Sequence, residues 1–433
     1  MSRAEDDGPA GPPVTGPSNE LRVARQAGRG TELAVISPPD GITVAGGSGP
    51  SVDTPWIISP VVRGDSGLQA LFTVVDQPEF LLRLGAGGAR VQVTRSAPPF
   101  QQLPARRWNF DGSELAWRQE GGEWYASVQR RNWGPGWTGS LILDGAAPPV
   151  AAVGWRRPLP KASASPWLSW MGPWEADVFF GRLAGHDQPE RPELIGMRLQ
   201  IQPFDILQLG VSRTMQWGGR GREEDLKTLA RGLLGFDNVG RYGITAENQP
   251  GNQLGGFDWR LQLGAVRGNA LYGQLIGEDE QGYLPAGYIV QVGLETSFSL
   301  QNALVHGFVE WNDLAASHAY NSHAPPGVTY TNSVYKQGYT YDHMPLGYPA
   351  GGDVTLGSVG LLVRMPAVHT ALVVSHGEAL PTSQRFAPGP ISGLNGSLQL
   401  DVDAQQQVGA GLWWWRDTAQ RQRGLQLWWR ALL

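Results

Sequence analysis

Apolar and polar residues alternate with a period of two along most of the chain after Gly85. Met197, Leu199 and Ile201 alternate with Arg198, Gln200 and Gln202, and past a turn at Pro203 the series resumes with Leu207, Leu209 and Val211 against Gln208, Gly210 and Ser212. Phe257, Trp259, Leu261, Leu263 and Ala265 oppose Asp258, Arg260, Gln262 and Gly264. Val290, Val292 and Leu294 oppose Gln291, Gly293 and Glu295, and Leu398, Leu400 and Val402 oppose Gln399, Asp401 and Asp403. Alternate side chains of a strand point to opposite faces, so each run predicts a strand with one apolar and one polar face. Short turns between neighbouring runs predict an antiparallel meander. At roughly 18–20 residues per strand and connection, the chain after Gly85 has room for about 16–18 strands, an even number as in bacterial barrels.

One apolar face also describes a soluble sheet lying on a core, as in a sandwich. Three features favour a membrane barrel. Several runs approach the roughly 9–11 residues needed to cross a bilayer at a tilt. Trp259, Trp311, Tyr288 and Trp413 to Trp415 sit at strand ends, where aromatic girdles belong. The closing GLQLWWRALL puts Leu425, Leu427, Trp429, Ala431 and Leu433 on one face, which resembles the C-terminal β-signal of outer-membrane proteins with Leu in place of the usual Phe.

Two insertions interrupt the meander. In Trp217 to Gly255, Glu223 to Leu234 predicts a short amphipathic helix after acidic first-turn residues. Asn312 to Thr355 is rich in Tyr, His, Pro and Gly. Both are expected outside the cell or folded inward, since barrels keep short turns at the periplasmic end. Residues 1–20, rich in Pro, Gly and acid, predict a disordered tail. Residues 21–84 are expected to form a small periplasmic or plug region, with one short helix at Gly67 to Val75, and 85–433 the barrel.

Composition narrows the chemistry. No run of 18 apolar residues occurs, which excludes a helical span. The first residues have no apolar h-region, so an outer-membrane reading requires that this is a mature chain or that the true start lies upstream. The absence of Cys removes disulfides and thiolate metal sites. A net charge of −5 argues against nucleic acid. The chain has 59 Gly and 18 Trp, which fits a barrel with aromatic girdles and also a carbohydrate-binding β protein. Lysine is confined to Lys161, Lys227 and Lys336, so the remaining cations are arginines, through GC-rich coding or because guanidinium forks bind acidic sugars.

Catalytic patterns are thin. No G-x-S-x-G elbow, H-E-x-x-H motif or P-loop is present. His318, His323 and His343 share a segment without metal-ligand spacing, and Glu278-Asp279-Glu280 reads as a solvated turn. Neither catalytic residue, metal nor cofactor is expected. The inward charges Arg198, Asp258, Arg260, Glu295, Glu310, Asp401 and Asp403 are expected to pair across the lumen.

The densest motif is Asn132-Trp133-Gly134-Pro135-Gly136-Trp137, a turn that no helix or central strand tolerates. Its indoles are expected to bury the bend. Asp111 to Ser113, Trp133 to Gly136, Gly139 to Leu143 and Ala146 to Pro149 follow in an order that resembles the Wzi family. The likeness continues, with gaps, through Trp167 to Pro173, Gly196 to Arg213, Gln216 to Gly219, Asn252 to Arg260 and Tyr272 to Asp279. That family consists of outer-membrane β-barrels that hold capsular polysaccharide at the cell surface.

The resemblance implies an all-β fold, a transmembrane antiparallel barrel of about 18 strands with a small, partly helical periplasmic region. It implies a non-catalytic, monomeric protein in outer-membrane lipid whose external loops bind acidic capsular or exopolysaccharide. Aromatic rings stack on sugar C–H faces and polar forks hold hydroxyls and carboxylates. Candidates are Trp217, Arg220 and Arg222 on the first insertion, with Tyr330, Tyr335, Tyr339, Tyr341 and Tyr348 on the second. The tyrosines equally suit loop packing. A porin-like channel for a small solute or polysaccharide is the alternative, against which a lumen plugged by Trp217 to Gly255 would argue.

Overall fold

The period-two runs are realised as strands, each hydrogen-bonded to the next in the chain. The computed structural model describes residues 67–432, apart from 75–78, 87–88, 96–113, 120, 130, 145–146, 148, 164, 235–242, 246–247, 264–268, 282–283, 317–325, 343 and 403–405. The tail and most of the expected periplasmic region therefore lie outside the described residues, as do His318, His323, His343 and Asp403.

The first strands are β1 (Gly67–Val74), β2 (Glu79–Ala86), β3 (Ala89–Arg95), β4 (Glu114–Gln119) and β5 (Gly122–Ser127). There follow β6 (Ala152–Ala162), β7 (Pro173–Arg182), β8 (Glu193–Phe204), β9 (Leu207–Trp217) and β10 (Gly251–Gln262). Next come β11 (Ala270–Gln281), β12 (Leu284–Leu300) and β13 (Ala303–Asp313), then a small hairpin of β14 (Thr340–Tyr341) and β15 (Met344–Pro345). The series ends with β16 (Val354–Arg364), β17 (Val368–Ala379), β18 (Gly389–Asp401), β19 (Gln406–Arg416) and β20 (Arg421–Leu432).

All but the hairpin belong to one 18-stranded antiparallel sheet. β1 pairs with β2 and also with β20, from Leu71 opposite Leu432 to Val74 opposite Trp429. Each of the eighteen strands thus has a partner on both sides, and the ladder runs round to its start. The sheet begins at Gly67, earlier than Gly85. Gly67–Val74 is a strand where its sequence suggests a helix, because two neighbouring ladders satisfy its backbone and override local propensity.

Sidedness separates the two readings of the alternation. A soluble sandwich buries its apolar face and wets its polar one. Here the reverse holds. Val211 is 60% exposed, and Phe180, Leu199, Phe257, Val309 and Val359 are exposed with it, while Arg198, Gln200, Gln274, Gln291 and Glu310 are buried. An apolar exterior around a polar interior is the arrangement of a barrel in lipid.

In a meander the connections alternate between two ends. Those after β4, β8, β12 and β16 are short turns. The opposite end carries 128–151, 183–192, 218–250, 314–353 and 380–388. Both termini of the sheet belong to the short-turn end.

Candidate functional site

The tryptophan–proline turn lies inside the barrel, held by the inward polar residues of β11, β12 and β13. Trp137 donates its indole N–H to Glu295 Oε2 at 2.6 Å and its backbone N–H to Glu310 Oε2 at 2.7 Å. Glu310 also accepts from the Thr138 N–H at 3.3 Å and the Tyr272 hydroxyl at 2.9 Å. The Trp137 ring stacks on Phe308 with centroids 5.6 Å apart. Gln274 bridges the loop, accepting from the Leu141 N–H at 2.8 Å and donating to the Trp133 carbonyl at 2.6 Å. Gln291 donates to the Gly139 carbonyl at 2.9 Å. At Gly136 a Cβ would collide with the Gly139 carbonyl and the Gln291 amide, so glycine is required by close approach. Trp133 and Trp137 are both buried, as the turn demands.

The inward charges pair along the wall, between strands one or two places apart, and not across the lumen as the sequence suggested, because neighbouring inward side chains meet first. Arg198 meets Asp258 at 2.7 and 2.9 Å, Arg260 donates from Nε to Glu295 at 2.8 Å, and Asp401 lies 2.9 Å from His369 Nε2. The loop at 128–151 is therefore the plug. The described part of Trp217 to Gly255 lies elsewhere, with its helix α1 (Leu226–Leu233) packed on the outside of β8 and β9. The physical reason is complementarity: 128–151 carries backbone N–H groups that Glu310 and Gln274 accept and carbonyls to which Gln274 and Gln291 donate, and the helix carries leucines.

The described part of the connection 314–353 covers the plug, and its tyrosines are the fastening. Tyr330 donates to the Leu141 carbonyl at 2.6 Å, and Tyr339 donates to the Ile142 carbonyl at 2.8 Å while lying 2.8 Å from Thr214 Oγ1. The Tyr348 hydroxyl is 2.7 Å from Thr138 Oγ1, and Tyr335 donates to the Gly218 carbonyl at 3.4 Å. Tyr330, Tyr335, Tyr339 and Tyr348 are buried; Tyr341 is half-buried and packs on the same core. Burial raises the hydroxyls of Tyr335 and Tyr348 above the ordinary tyrosine range, so both remain protonated donors. The hydroxyls of these four buried rings are thus engaged inside the protein, by carbonyls of Leu141, Ile142 and Gly218 and by the Thr138 hydroxyl. Tyr339→Phe is expected to lower stability by about 1 kcal/mol through one lost buried hydrogen bond. The readout is the temperature at which the unboiled gel band converts to the boiled one. No shift would mean that Tyr339 does not fasten the lid.

The first insertion divides. Trp217 is buried on the outer wall beside Met215 and Phe180. Arg220 is 82% exposed and pairs with Glu190 at 2.8 Å, and half-buried Arg222 donates to the Gln249 carbonyl. The Arg220 N–H also donates to the Glu190 carbonyl at 2.8 Å, and the Lys336 N–H to the Gln188 carbonyl at 2.9 Å. Connections 183–192, 218–250 and 314–353 are thus joined at the rim, with Arg191, Arg220 and Lys336 on its surface.

Sequence reasoning missed Arg385, on 380–388. Its guanidinium lies 3.6 Å from Met344 Sδ, and no carboxylate among the described residues pairs with it. Desolvation pushes it down to about 10. A cation set among apolar loop groups without a counter-ion was not readable, because only the fold brings 344 and 385 together. Among the described residues no group of three His, Asp or Glu side chains is placed to hold a metal.

Comparison with known proteins bears on this arrangement. A curated relative from Klebsiella pneumoniae, described as an uncharacterized 55.8 kDa protein in the cps region, is 37% identical over 183 residues, which is 42% of this chain. The match spans 35% of that relative's own length. Wzi of Escherichia coli, described as an outer membrane protein involved in group 1 capsule assembly and a carbohydrate-binding β-barrel, shares the fold with a TM-score of 0.71. It is 22% identical, over 85% of this chain and 84% of that one. The model of the family described as capsule assembly protein Wzi matches residues 97–421, from the segment before β4 to the start of β20, and the chain belongs to that family.

Proposed function

We propose that this protein is an outer-membrane barrel that binds acidic capsular or exopolysaccharide at its long-loop end and holds it at the cell surface, as a monomer and without bond chemistry. The observation that carries the reading is the filled lumen. A barrel whose interior is occupied by the described residues of 128–151 and covered by those of 314–353 offers the outside a rigid platform instead of a passage. Rigid loops bind a polymer with little ordering cost. The family's role in capsule assembly and the carbohydrate binding of the Escherichia coli relative support the ligand class.

The cations suited to a polymer carboxylate are Arg220, which is exposed, and Arg385, which lacks an acidic partner among the described residues. Arg222 and half-buried Tyr341 flank them as supporting contacts. A guanidinium–carboxylate contact is worth about 1.5–3 kcal/mol, so Arg220→Ala with Arg385→Ala is expected to weaken binding about tenfold or more. Binding of the detergent-solubilised protein to an acidic capsular polymer, against a neutral one and across a salt series, checks this. Arg385→Lys retains the charge and loses the fork, and should fall between. Equal affinity of the double variant and wild type for the acidic polymer would remove these arginines from the site.

A further inference from the structure

We propose that α1 is an interfacial helix, seating its exposed leucines in the outer-leaflet lipid with Lys227 and Arg231 at the headgroup phosphates. The proposal rests on the outer-membrane reading above. Thr214 touches the lid residue Tyr339 and Gln216 donates to the Gly338 carbonyl at 3.0 Å, so both point inward. Met215 and Trp217 therefore point outward, and with Ile195 they receive Leu229 and Leu233 of the helix. The helix lies against the wall that faces lipid.

Arg213, on the same outward row as Val211 and Met215, explains its position. Its guanidinium donates to the Leu233 carbonyl at 2.7 Å and the Gly232 carbonyl at 2.8 Å, and Gln253 donates to the Gly232 carbonyl at 2.9 Å. An outward Arg within an apolar band costs about 2–4 kcal/mol at its centre, and the carbonyl end of a helix is suited to neutralise it. One pleat repeat lower, about 7 Å along the strand, Val211 is exposed beside its register partners Leu199 and Phe257. The helix end thus borders the lipid-facing wall directly.

The rest of the helix matches that location. Leu226 is 84% exposed and Leu234 68%, and with exposed Ala230 they form one row at four-residue spacing. Lys227 and Arg231 form the adjacent row. Exposed leucines beside cations, on a helix tethered to a lipid-facing wall, fit insertion at the boundary of headgroups and acyl chains.

The chain lacks cysteine, so single thiols can be placed and labelled with an environment-sensitive fluorophore. Leu226→Cys, Val211→Cys and Lys336→Cys proteins would be reconstituted in phosphatidylcholine–phosphatidylglycerol vesicles with or without bromine near the headgroup. Leu226→Cys is expected to be quenched about twofold or more and Lys336→Cys not at all. Quenching at Val211 without quenching at Leu226 overturns the helix proposal and leaves the barrel standing. No quenching at Val211 overturns the membrane reading itself. If Leu226→Cys does not assemble, Leu234→Cys reads the same row. With Lys227→Gln and Arg231→Gln added, quenching at Leu226 should fall; an unchanged signal removes the phosphate contact.

Discussion

Replacing Glu310 with alanine is expected to release the plug and raise the conductance of the barrel. Glu310 accepts from the Trp137 and Thr138 backbones, the Tyr272 hydroxyl and the Asn312 amide, all in the lumen. Removal takes the carboxylate away from the Trp137 and Thr138 N–H groups and the Tyr272 hydroxyl, while the Asn312 amide keeps the Tyr348 hydroxyl at 3.1 Å. Bonds to a charged group are worth about 1.5–3 kcal/mol and are not additive, so the loss should be on the order of 4 kcal/mol. Conversion of the unboiled gel band at lower temperature, together with conductance above wild type in planar bilayers, would show it. Gly136→Leu is expected to raise conductance as well, by forcing the turn away from Gln291. Should Glu310→Ala convert at the wild-type temperature and keep the wild-type conductance, the loop must be anchored by contacts other than those at Glu310.

Arg198→Met should destabilise by about 3–5 kcal/mol, because it leaves Asp258 buried without its cation. The pair is shielded inside the wall, and Arg198 also donates to Ser212 at 2.5 Å. Asp258→Leu added to Arg198→Met should recover most of the loss, since an apolar pair has no uncompensated charge. Denaturant or thermal conversion midpoints for the four members of the cycle provide the test. A double variant no better than Arg198→Met would mean that the guanidinium acts through packing and its bond to Ser212 instead of through Asp258.

Much of the wall was legible in the sequence. Alternation at 197–211, 257–262 and 290–295 assigned inward and outward rows correctly, and the inward charges Arg198, Asp258, Arg260 and Glu295 do pair. The expected helix at 223–234 appears one turn shorter at its start, where Asp225 caps it by accepting from the Thr228 N–H at 2.7 Å. The plug was not legible. Its loop has no periodicity, and its partners Gln274, Gln291 and Glu310 stand more than a hundred residues away. One trace was available: Arg198 and Arg260 each have an acidic partner among the inward residues, and Glu310 is among the acids left over. The tyrosines of 330–348 were ambiguous for a different reason. A ring with a hydroxyl suits a sugar and a buried carbonyl equally, and only the carbonyls of Leu141 and Ile142 beneath them decide.

The fastening of the plug has a consequence for how the molecule is made. The loop follows β5 in the chain, yet Trp137 is bound to Glu310 across a separation of 173 residues and Thr138 meets Tyr348 across 210. Contacts between such distant positions form slowly, because a large loop must close before any of them is gained. The plug therefore waits, its backbone groups unmet, until β11 to β13 arrive, and the 314–353 lid can settle only after it. Seating of the plug needs β11 to β13 and closure of the wall needs β20, so both come late in assembly, and the lid settles after the plug.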